Sequence, residues 1–278
     1  MKKMAAAVVA MVTALALTAC AGGFDASKYV NGVLNNIYLG DSTGYMELVE
    51  ITAEEAKEEY EQGISVEADF FLQYYGLDSV SDDVYQQIVD MYKQIYSKSK
   101  FEVKEAVKNG DDYNVEVVVS PIDVIVNSEE AISTAVDDFV ANANPDDYTD
   151  EQVLNDDLAK LVIKVINDNM ANLGYQAEKS IIVKVEKDAQ GYYGISDDAI
   201  GLLDQDLTAL DHTLDQFGDI KTFEYNFIIS KLKLIQRQKI LDHEIHLGSF
   251  IHNHITIKLP AFRIITDAFF QSFCISLD

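Results

Sequence analysis

The chain has 278 residues and combines 21 lysines and arginines with 47 aspartates and glutamates, a formal net charge of −26. Such an acidic chain lacks the basic footprint that phosphate contacts require, so nucleic-acid binding is excluded. Charged residues at 24% and aromatic residues at 10% exclude a disordered or fibrous chain, and two cysteines are too few for a disulfide framework.

The first twenty residues have the pattern of a processed export signal. Lys2 and Lys3 form a positive segment, and the apolar stretch that follows to Leu17 is too short to span about 30 Å of hydrocarbon. It ends in Leu17-Thr18-Ala19-Cys20, which resembles the lipobox of bacterial lipoproteins. The resemblance implies a signal peptide over residues 1–19 and a diacylglycerol group on Cys20, the predicted lipid attachment site. The alternative is an ordinary secretory signal with an incidental cysteine.

Residues 20–23 form a short tether after this signal. At about 3.5 Å per residue, the tether keeps the next domain within roughly 10–15 Å of the anchor. We therefore expect an extracytoplasmic protein that is anchored to the cell membrane. Its lipid, and not its surface charge, makes the attachment, because anionic headgroups repel an acidic domain.

Charge divides the rest of the chain into two segments. Residues 20–211 hold 12 lysines, 40 acidic residues and no histidine, a net of −28. Residues 212–278 hold 7 basic and 7 acidic residues, a net of zero, and all five histidines. We predict an acidic domain over 24–211. The tail, 212–278, is then either a small appended module or a non-native extension.

The first half of the acidic domain predicts three helices from apolar residues at helical spacing. The second helix opens with Thr52 and Glu55, a capping-box pattern, and Gly63 weakens its interior. Ser81 is the predicted N-cap of the third helix, with Asp82 and Asp83 in its first turn. The three apolar stripes are, in order, Val30, Val33, Leu34 and Ile37; Ala56, Tyr60, Ile64, Ala68, Phe71 and Tyr75; and Val84, Ile88, Met91 and Ile95.

Alternating segments predict two β-hairpins. The first runs from Phe101 through the Asn109-Gly110 turn to Val119, and the second joins a strand over 181–185 to a shorter one over 192–195. Two helices between the hairpins are predicted to start at Asn127 and Thr149, and a closing helix at Ser196. Helices grouped around antiparallel hairpins indicate an α+β fold, with an antiparallel sheet of about four strands and helices packed on it.

Catalytic motifs are missing from the acidic segment. Residues 20–211 contain no histidine and no cysteine after Cys20, which excludes Ser-His and Cys-His catalysis there. Phosphate-binding glycine loops are also absent from the sequence. Paired carboxylates are too abundant to single out an acid–base pair, although a hydrolase of that kind stays open. The loop from Asn142 to Glu151 departs from the calcium-binding EF-hand template, with Asp147 in the glycine position and Val153 in the glutamate position.

Five tyrosines offer a candidate binding surface. Tyr85, Tyr92 and Tyr96 lie about 100° from the apolar stripe of the third helix and, with Tyr74 and Tyr75, could line a groove for sugar or peptide. The alternative, which we favour, is a boundary stripe between helices with the hydroxyls in water.

The tail contains the only group of residues that resembles a metal site. His243 and His246 are spaced i, i+3, and His252 and His254 are spaced i, i+2. Both pairs could converge on zinc if they lie on a helix and a strand, although the zinc-protease spacing is absent.

The lipobox, the segment Phe24-Asp25-Ala26-x-x-Tyr29-Val30 and the hairpin end at Val119-Ser120-Pro121 together resemble small lipoproteins of Gram-positive gut anaerobes. This resemblance covers about residues 1–210 and implies a lipid-anchored α+β domain of unknown function, with a cystatin-like or nuclear-transport-factor-like curved sheet. It supplies no catalytic residues, and we predict no catalytic, cofactor or metal site. The predicted function is a non-enzymatic surface module that binds a protein, a wall polymer or a small ligand, and the alternative is zinc capture by the tail.

Overall fold

The computed structural model describes residues 24–49, 51–189 and 191–209. Residues 1–23 with Cys20, and the tail with its five histidines, lie outside this range, as does the predicted boundary near residue 211. The α-helices of the described residues are α1 (Ala26–Leu34), α2 (Thr43–Met46), α3 (Ala53–Tyr74), α4 (Asp82–Tyr96), α5 (Glu129–Asn142), α6 (Glu151–Asn169) and α7 (Asp197–Leu207). The strands are β1 (Lys100–Val103), β2 (Val107–Asn109), β3 (Asp112–Ser120), β4 (Lys179–Lys187) and β5 (Tyr193–Ile195).

The strands form one antiparallel sheet, in the order β1-β3-β4-β5, with β2 also paired to β3. The two predicted hairpins meet where β3 pairs with β4 and Val115 lies opposite Val183. Gly110 closes the first hairpin with φ = 67°, a left-handed conformation that suits glycine in this turn. The α+β prediction is therefore confirmed: helices pack on a curled antiparallel sheet.

The first strand of the first hairpin is interrupted, which the sequence pattern did not predict. Val103 pairs with Val117, but Val107 pairs with Asn114, so one extra residue bulges out between them. The Ser27 hydroxyl of α1 fills this gap: it accepts a hydrogen bond from the Ala106 N–H at 2.7 Å and donates to the Lys104 carbonyl at 3.0 Å. We call these three residues the Ser27 clamp. It satisfies backbone groups that the bulge removes from the ladder.

The core lies between the sheet and the helices. Alternate residues of β3 and β4 are buried, and α1 and α7 pack against these two strands. The inward residues are Val115, Val117, Val119, Ile181, Val183 and Val185. Their near-complete burial explains the strict alternation of the sequence, because one face of each strand is turned to the helices and the other is not.

The two long helices α3 and α4 pack against each other. The capping box is confirmed: the Glu55 N–H donates to Thr52 Oγ1, and the Glu55 carboxylate accepts from the Thr52 N–H. The helix continues through Gly63, so the predicted weak point does not end it. The apolar stripe of α4 is buried as predicted, with Ile88 and Ile95 fully enclosed.

Ser81 is the N-cap residue of α4, but its hydroxyl makes no capping bond to that helix. Instead, the Ser81 N–H and hydroxyl both donate to the Asp156 carboxylate of α6, each at 2.7 Å. A charged acceptor makes stronger hydrogen bonds than a neutral one, which explains why the hydroxyl turns away from its own helix.

Two other predicted helix starts are wrong. A 3₁₀ turn over Val126–Ser128 precedes α5, which therefore begins at Glu129 and not next to Asn127. The helix α6 begins at Glu151, where the Asp150 carboxylate accepts a hydrogen bond from the Gln152 N–H at 3.0 Å. Asp150 therefore takes the capping role that was predicted for Thr149, since a carboxylate at a helix N-terminus also complements the dipole.

The chain divides into two compact units. Of the described residues, 24–132 and 155–209 belong to the first unit, which contains the whole sheet. Residues 133–154 belong to the second unit and comprise most of α5, a 3₁₀ turn over Pro145–Tyr148 and the start of α6. In this second unit, Phe139 and Tyr148 make an edge-to-face contact with ring centroids 5.6 Å apart.

Candidate functional site

The five tyrosines proposed to line a groove do not form one. Tyr74, Tyr75, Tyr92 and Tyr96 are at most 4% exposed and belong to the core. The alternative, a boundary with hydroxyls in water, is wrong for the same reason. The helix α4 buries a wider face than its apolar stripe because it packs against both α3 and the π-helical turn Asn35–Leu39.

Tyr85, the fifth of these residues, is half-buried between α3 and α4. Its hydroxyl contacts the Ser65 carbonyl at 3.0 Å and Asp69 Oδ1 at 2.9 Å. Burial, together with the hydrogen bond to Asp69, raises the pKa of Tyr85 to about 12. Tyr85 therefore stays protonated and joins the two helices rather than offering a free hydroxyl to a ligand.

A cluster of buried tyrosines surrounds the carboxylate of Glu67 on α3. Burial raises the pKa of Tyr38, Tyr92 and Tyr96 far above its ordinary value, and the nearby charge of Glu67 contributes to each shift. Tyr38 Oη also donates to Asp204 Oδ1 at 2.6 Å, which connects the π-helical turn to α7. These hydroxyls are neutral at physiological pH, so the cluster suits a structural role better than proton transfer.

The acidic loop from Asn142 to Glu151 holds no assembled cation site. Asn144 Nδ2 donates to Asp147 Oδ1 at 3.4 Å, and Asp150 is engaged with the start of α6. Across residues 24–49, 51–189 and 191–209, no three His, Cys, Asp or Glu side chains are grouped so that they could hold a metal ion.

The side of the sheet that faces away from the core is a mixed surface, which we call the outer face: Asn114, Glu116, Val118, Ile182 and Lys184. Ile182 is 59% exposed in the middle of β4 and lies directly opposite Glu116. Lys184 contacts the carboxylates of Glu186 and Asp112, and the Glu186 hydrogen bond is the main cause that raises its pKa. An exposed isoleucine ringed by charges offers both apolar contact and polar orientation to a partner.

A second surface lies where the chain enters the domain. Phe24 stacks on Tyr193 with ring centroids 4.1 Å apart and 4° between the planes, and it also contacts Tyr29 and Tyr113 at 5.6 Å. Tyr29 is buried, whereas Phe24, Tyr113 and Tyr193 are half-exposed. We call these four residues the aromatic end. Tyr113 is the second residue of β3 and Tyr193 is the first residue of β5, so the sheet places both rings beside the first described residue.

Sequence patterns did not single out either surface. Ile182 is an apolar residue at an outward-facing position of β4, and this departure from the alternation is the sequence signal that points to the outer face. The aromatic end unites residues 24, 113 and 193, and only the pairing of β3 with β4 and of β4 with β5 brings the last two together.

None of the helices within the described residues is long and apolar enough to cross a membrane. No protein-family model matches the chain, and no match was found among curated proteins. Among solved structures, the chain is similar to ycdA of Bacillus subtilis, a presumed lipoprotein, with 18% identity and a TM-score of 0.46 over 64% of this chain. The chain spans about half (53%) of that protein's length. A likeness this low carries no functional argument.

Proposed function

We propose that the chain is a lipid-anchored lipoprotein of the bacterial cell surface, attached through Cys20, and that its acidic domain is a non-enzymatic binding module. The observation that carries the anchor is the order of features in the first twenty residues: two lysines, a short apolar stretch and Leu17-Thr18-Ala19-Cys20. The domain begins with α1 at Ala26, only six positions after Cys20. The lipid would therefore hold the folded domain beside the membrane.

Metabolic labelling tests the anchor. Cells that express the chain are fed a clickable palmitate analogue, and the wild type is compared with Cys20→Ala and with the matched control Cys274→Ala. Labelling of the wild type and of Cys274→Ala, with loss in Cys20→Ala, supports lipidation at Cys20. Equal labelling of all three chains, or labelling of none, contradicts it.

The outer face is the surface that we assign to the partner. Ile182 projects 59% of its area from the centre of the sheet, and the neighbouring side chains carry both charge signs. A partner that covers this face would bury the isoleucine and meet oriented charges around it, as the apolar centre and polar rim of protein interfaces do. A wall polymer, a protein or a small ligand would each be held this way.

Binding through the outer face is tested by co-sedimentation with purified cell-wall fragments and by cross-linking on intact cells. Ile182→Asp replaces the apolar centre of the face with a charge, so it should reduce binding about ten-fold or more. Leu202→Asp is the matched control, because Leu202 is 51% exposed on α7, the helix that packs on the core side of the sheet and not on its outer face. Equal losses in both variants, or no loss in either, would remove the outer face from the proposal.

Zinc capture by the tail is a second candidate, and the spacing of His243, His246, His252 and His254 favours it. Calorimetry with zinc on residues 24–278 and on 24–211 separates the two candidates. Binding heat that disappears when the tail is removed favours metal capture. If neither chain gives binding heat with zinc, metal capture is rejected.

A further inference from the structure

The aromatic end lies next to the predicted anchor along the chain. Phe24 follows Cys20 by four residues. At about 3.5 Å per residue, the backbone of Phe24 therefore lies within roughly 14 Å of the backbone of Cys20, the predicted lipid attachment site. Phe24 does not lead into a free loop: it stacks on Tyr193, and α1 begins two residues later. The chain therefore enters the fold at this end of the sheet, which keeps Phe24 within that distance of the anchored residue.

The chemistry of the aromatic end suits the boundary between water and lipid. Phe24, Tyr113 and Tyr193 are half-exposed, and two of the three carry a phenol hydroxyl on an apolar ring. Amphipathic rings of this kind are enriched at membrane interfaces, where one edge meets the headgroups and the other meets apolar chains. Lys187 extends from the same end of β4, with its Nζ 5.7 Å from the Tyr193 ring centroid.

The carboxylates at this end of the sheet are of two kinds. Asp25 is satisfied by the Lys28 N–H at 3.0 Å and lies 3.9 Å from Lys28 Nζ. Asp112 accepts from the Lys187 N–H at 3.0 Å and lies 3.6 Å from Lys184 Nζ. Asp25 and Asp112 therefore lie beside lysines, whereas Asp111 is exposed and its charge reaches Tyr193. Charge does not draw this end to the headgroups, so the aromatic rings supply the attraction.

We propose that the aromatic end docks on the lipid surface, with the rings of Phe24, Tyr113 and Tyr193 in the headgroup layer and the opposite end of the sheet pointing away from the membrane. The inference deepens the proposed function and rests on an anchor at Cys20. It adds a fixed orientation to that anchor: the lipid chains hold the domain, and the aromatic rings set which end faces the bilayer.

The chain contains no tryptophan, so a single substitution introduces a fluorescent reporter without background. Tyr193→Trp places the reporter in the aromatic end. Tyr175→Trp is the matched control, because Tyr175 is also half-exposed but lies at the opposite end of the sheet, bridged to Ile122. Both variants are made in residues 20–278 with Cys274→Ser, and Cys20 is coupled to a maleimide lipid in phosphatidylcholine vesicles.

Vesicles made with brominated phosphatidylcholine should quench the Tyr193→Trp variant by about two-fold relative to bromine-free vesicles, and the Tyr175→Trp variant by less than about 10%. Equal quenching of both variants, quenching of neither, or quenching of the Tyr175→Trp variant alone would overturn the orientation. Chemical coupling supplies the anchor in this assay, so a negative result rejects docking even if cells lipidate Cys20. Failure of palmitate labelling, in turn, rejects the native anchor and leaves the quenching result readable.

Discussion

Tyr38 and Tyr96 are neighbouring core residues whose hydroxyls have opposite environments. Their ring centroids lie 5.4 Å apart with an interplanar angle of 82°, and each side chain is 2% exposed. Tyr38 Oη donates to Asp204 Oδ1 at 2.6 Å, whereas Tyr96 Oη has no hydrogen-bond partner among the described residues. Replacement of either tyrosine by phenylalanine removes one oxygen from an equally buried ring, so the two variants differ chiefly in that bond.

The expected changes follow from these environments. A hydrogen bond to a charged acceptor contributes about 1.5–3 kcal/mol, so Tyr38→Phe should lower the free energy of unfolding by about 2 kcal/mol. In Tyr96→Phe no described bond is lost and the desolvation cost of a buried hydroxyl disappears, so the free energy of unfolding should stay unchanged or rise by about 1 kcal/mol.

Urea unfolding of the processed chain, residues 20–278, followed by far-ultraviolet circular dichroism, measures both values. The slope of the transition should be the same in the wild type and the two variants, so that the midpoints compare directly. A loss in Tyr96→Phe as large as that in Tyr38→Phe would refute the assignment of the two hydroxyls. So would a Tyr38→Phe variant as stable as the wild type.

Two further predictions concern helix packing and pH. Gly63→Ala should raise the free energy of unfolding by about 0.5–1 kcal/mol, because a Cβ there meets nothing within 4 Å in the interior of α3. Gly32→Ala in α1 should lower the free energy of unfolding by about 1–3 kcal/mol, because the new Cβ would lie 3.1 Å from the Tyr45 backbone. If the urea midpoints of the two glycine variants move in the same direction, this contrast is contradicted. Burial raises the pKa of Tyr92 and Tyr96 above the ordinary value of 10.0, so the stability they contribute is complete below pH 10 and is lost as the pH rises above it. Urea midpoints measured from about pH 8 to pH 11 should therefore fall only at the alkaline end, and a flat profile would contradict the burial of ionisable tyrosines.

Local sequence signals predicted those elements whose causes lie within a few residues. The capping box at Thr52 and Glu55 and the turn at Gly110 are examples, because each depends on contacts three residues apart or on one backbone conformation. The alternation of β3 and β4 predicted the sheet because one face of each strand is buried and the other is exposed.

Contacts between distant segments could not be predicted in the same way. Ser81 is a good N-cap residue by type, but Asp156 lies 75 positions away and captures its hydroxyl. The stripe rule assigned Tyr92 and Tyr96 to a boundary because it assumes one apolar neighbour for a helix, whereas α4 packs on two elements. The aromatic end depends on strand pairing, and no periodicity within a single segment reports it.

The Ser27 clamp also determines how mechanical tension would pass through the domain. Any pull on the residues before Phe24 passes through Phe24 into α1, where the Ser27 hydroxyl connects the first turn of that helix to the backbone on both sides of the bulge. The stacked Phe24 and Tyr193 rings form a parallel connection to the far edge of the sheet at β5. Tension from the N-terminal side is therefore shared between β1–β2 and β5, the two edges of the sheet, rather than peeling one strand away. Both connections, the Ser27 hydrogen bonds at one edge of the sheet and the Phe24–Tyr193 stack at the other, would therefore have to fail before such a pull could unfold the sheet from a single edge.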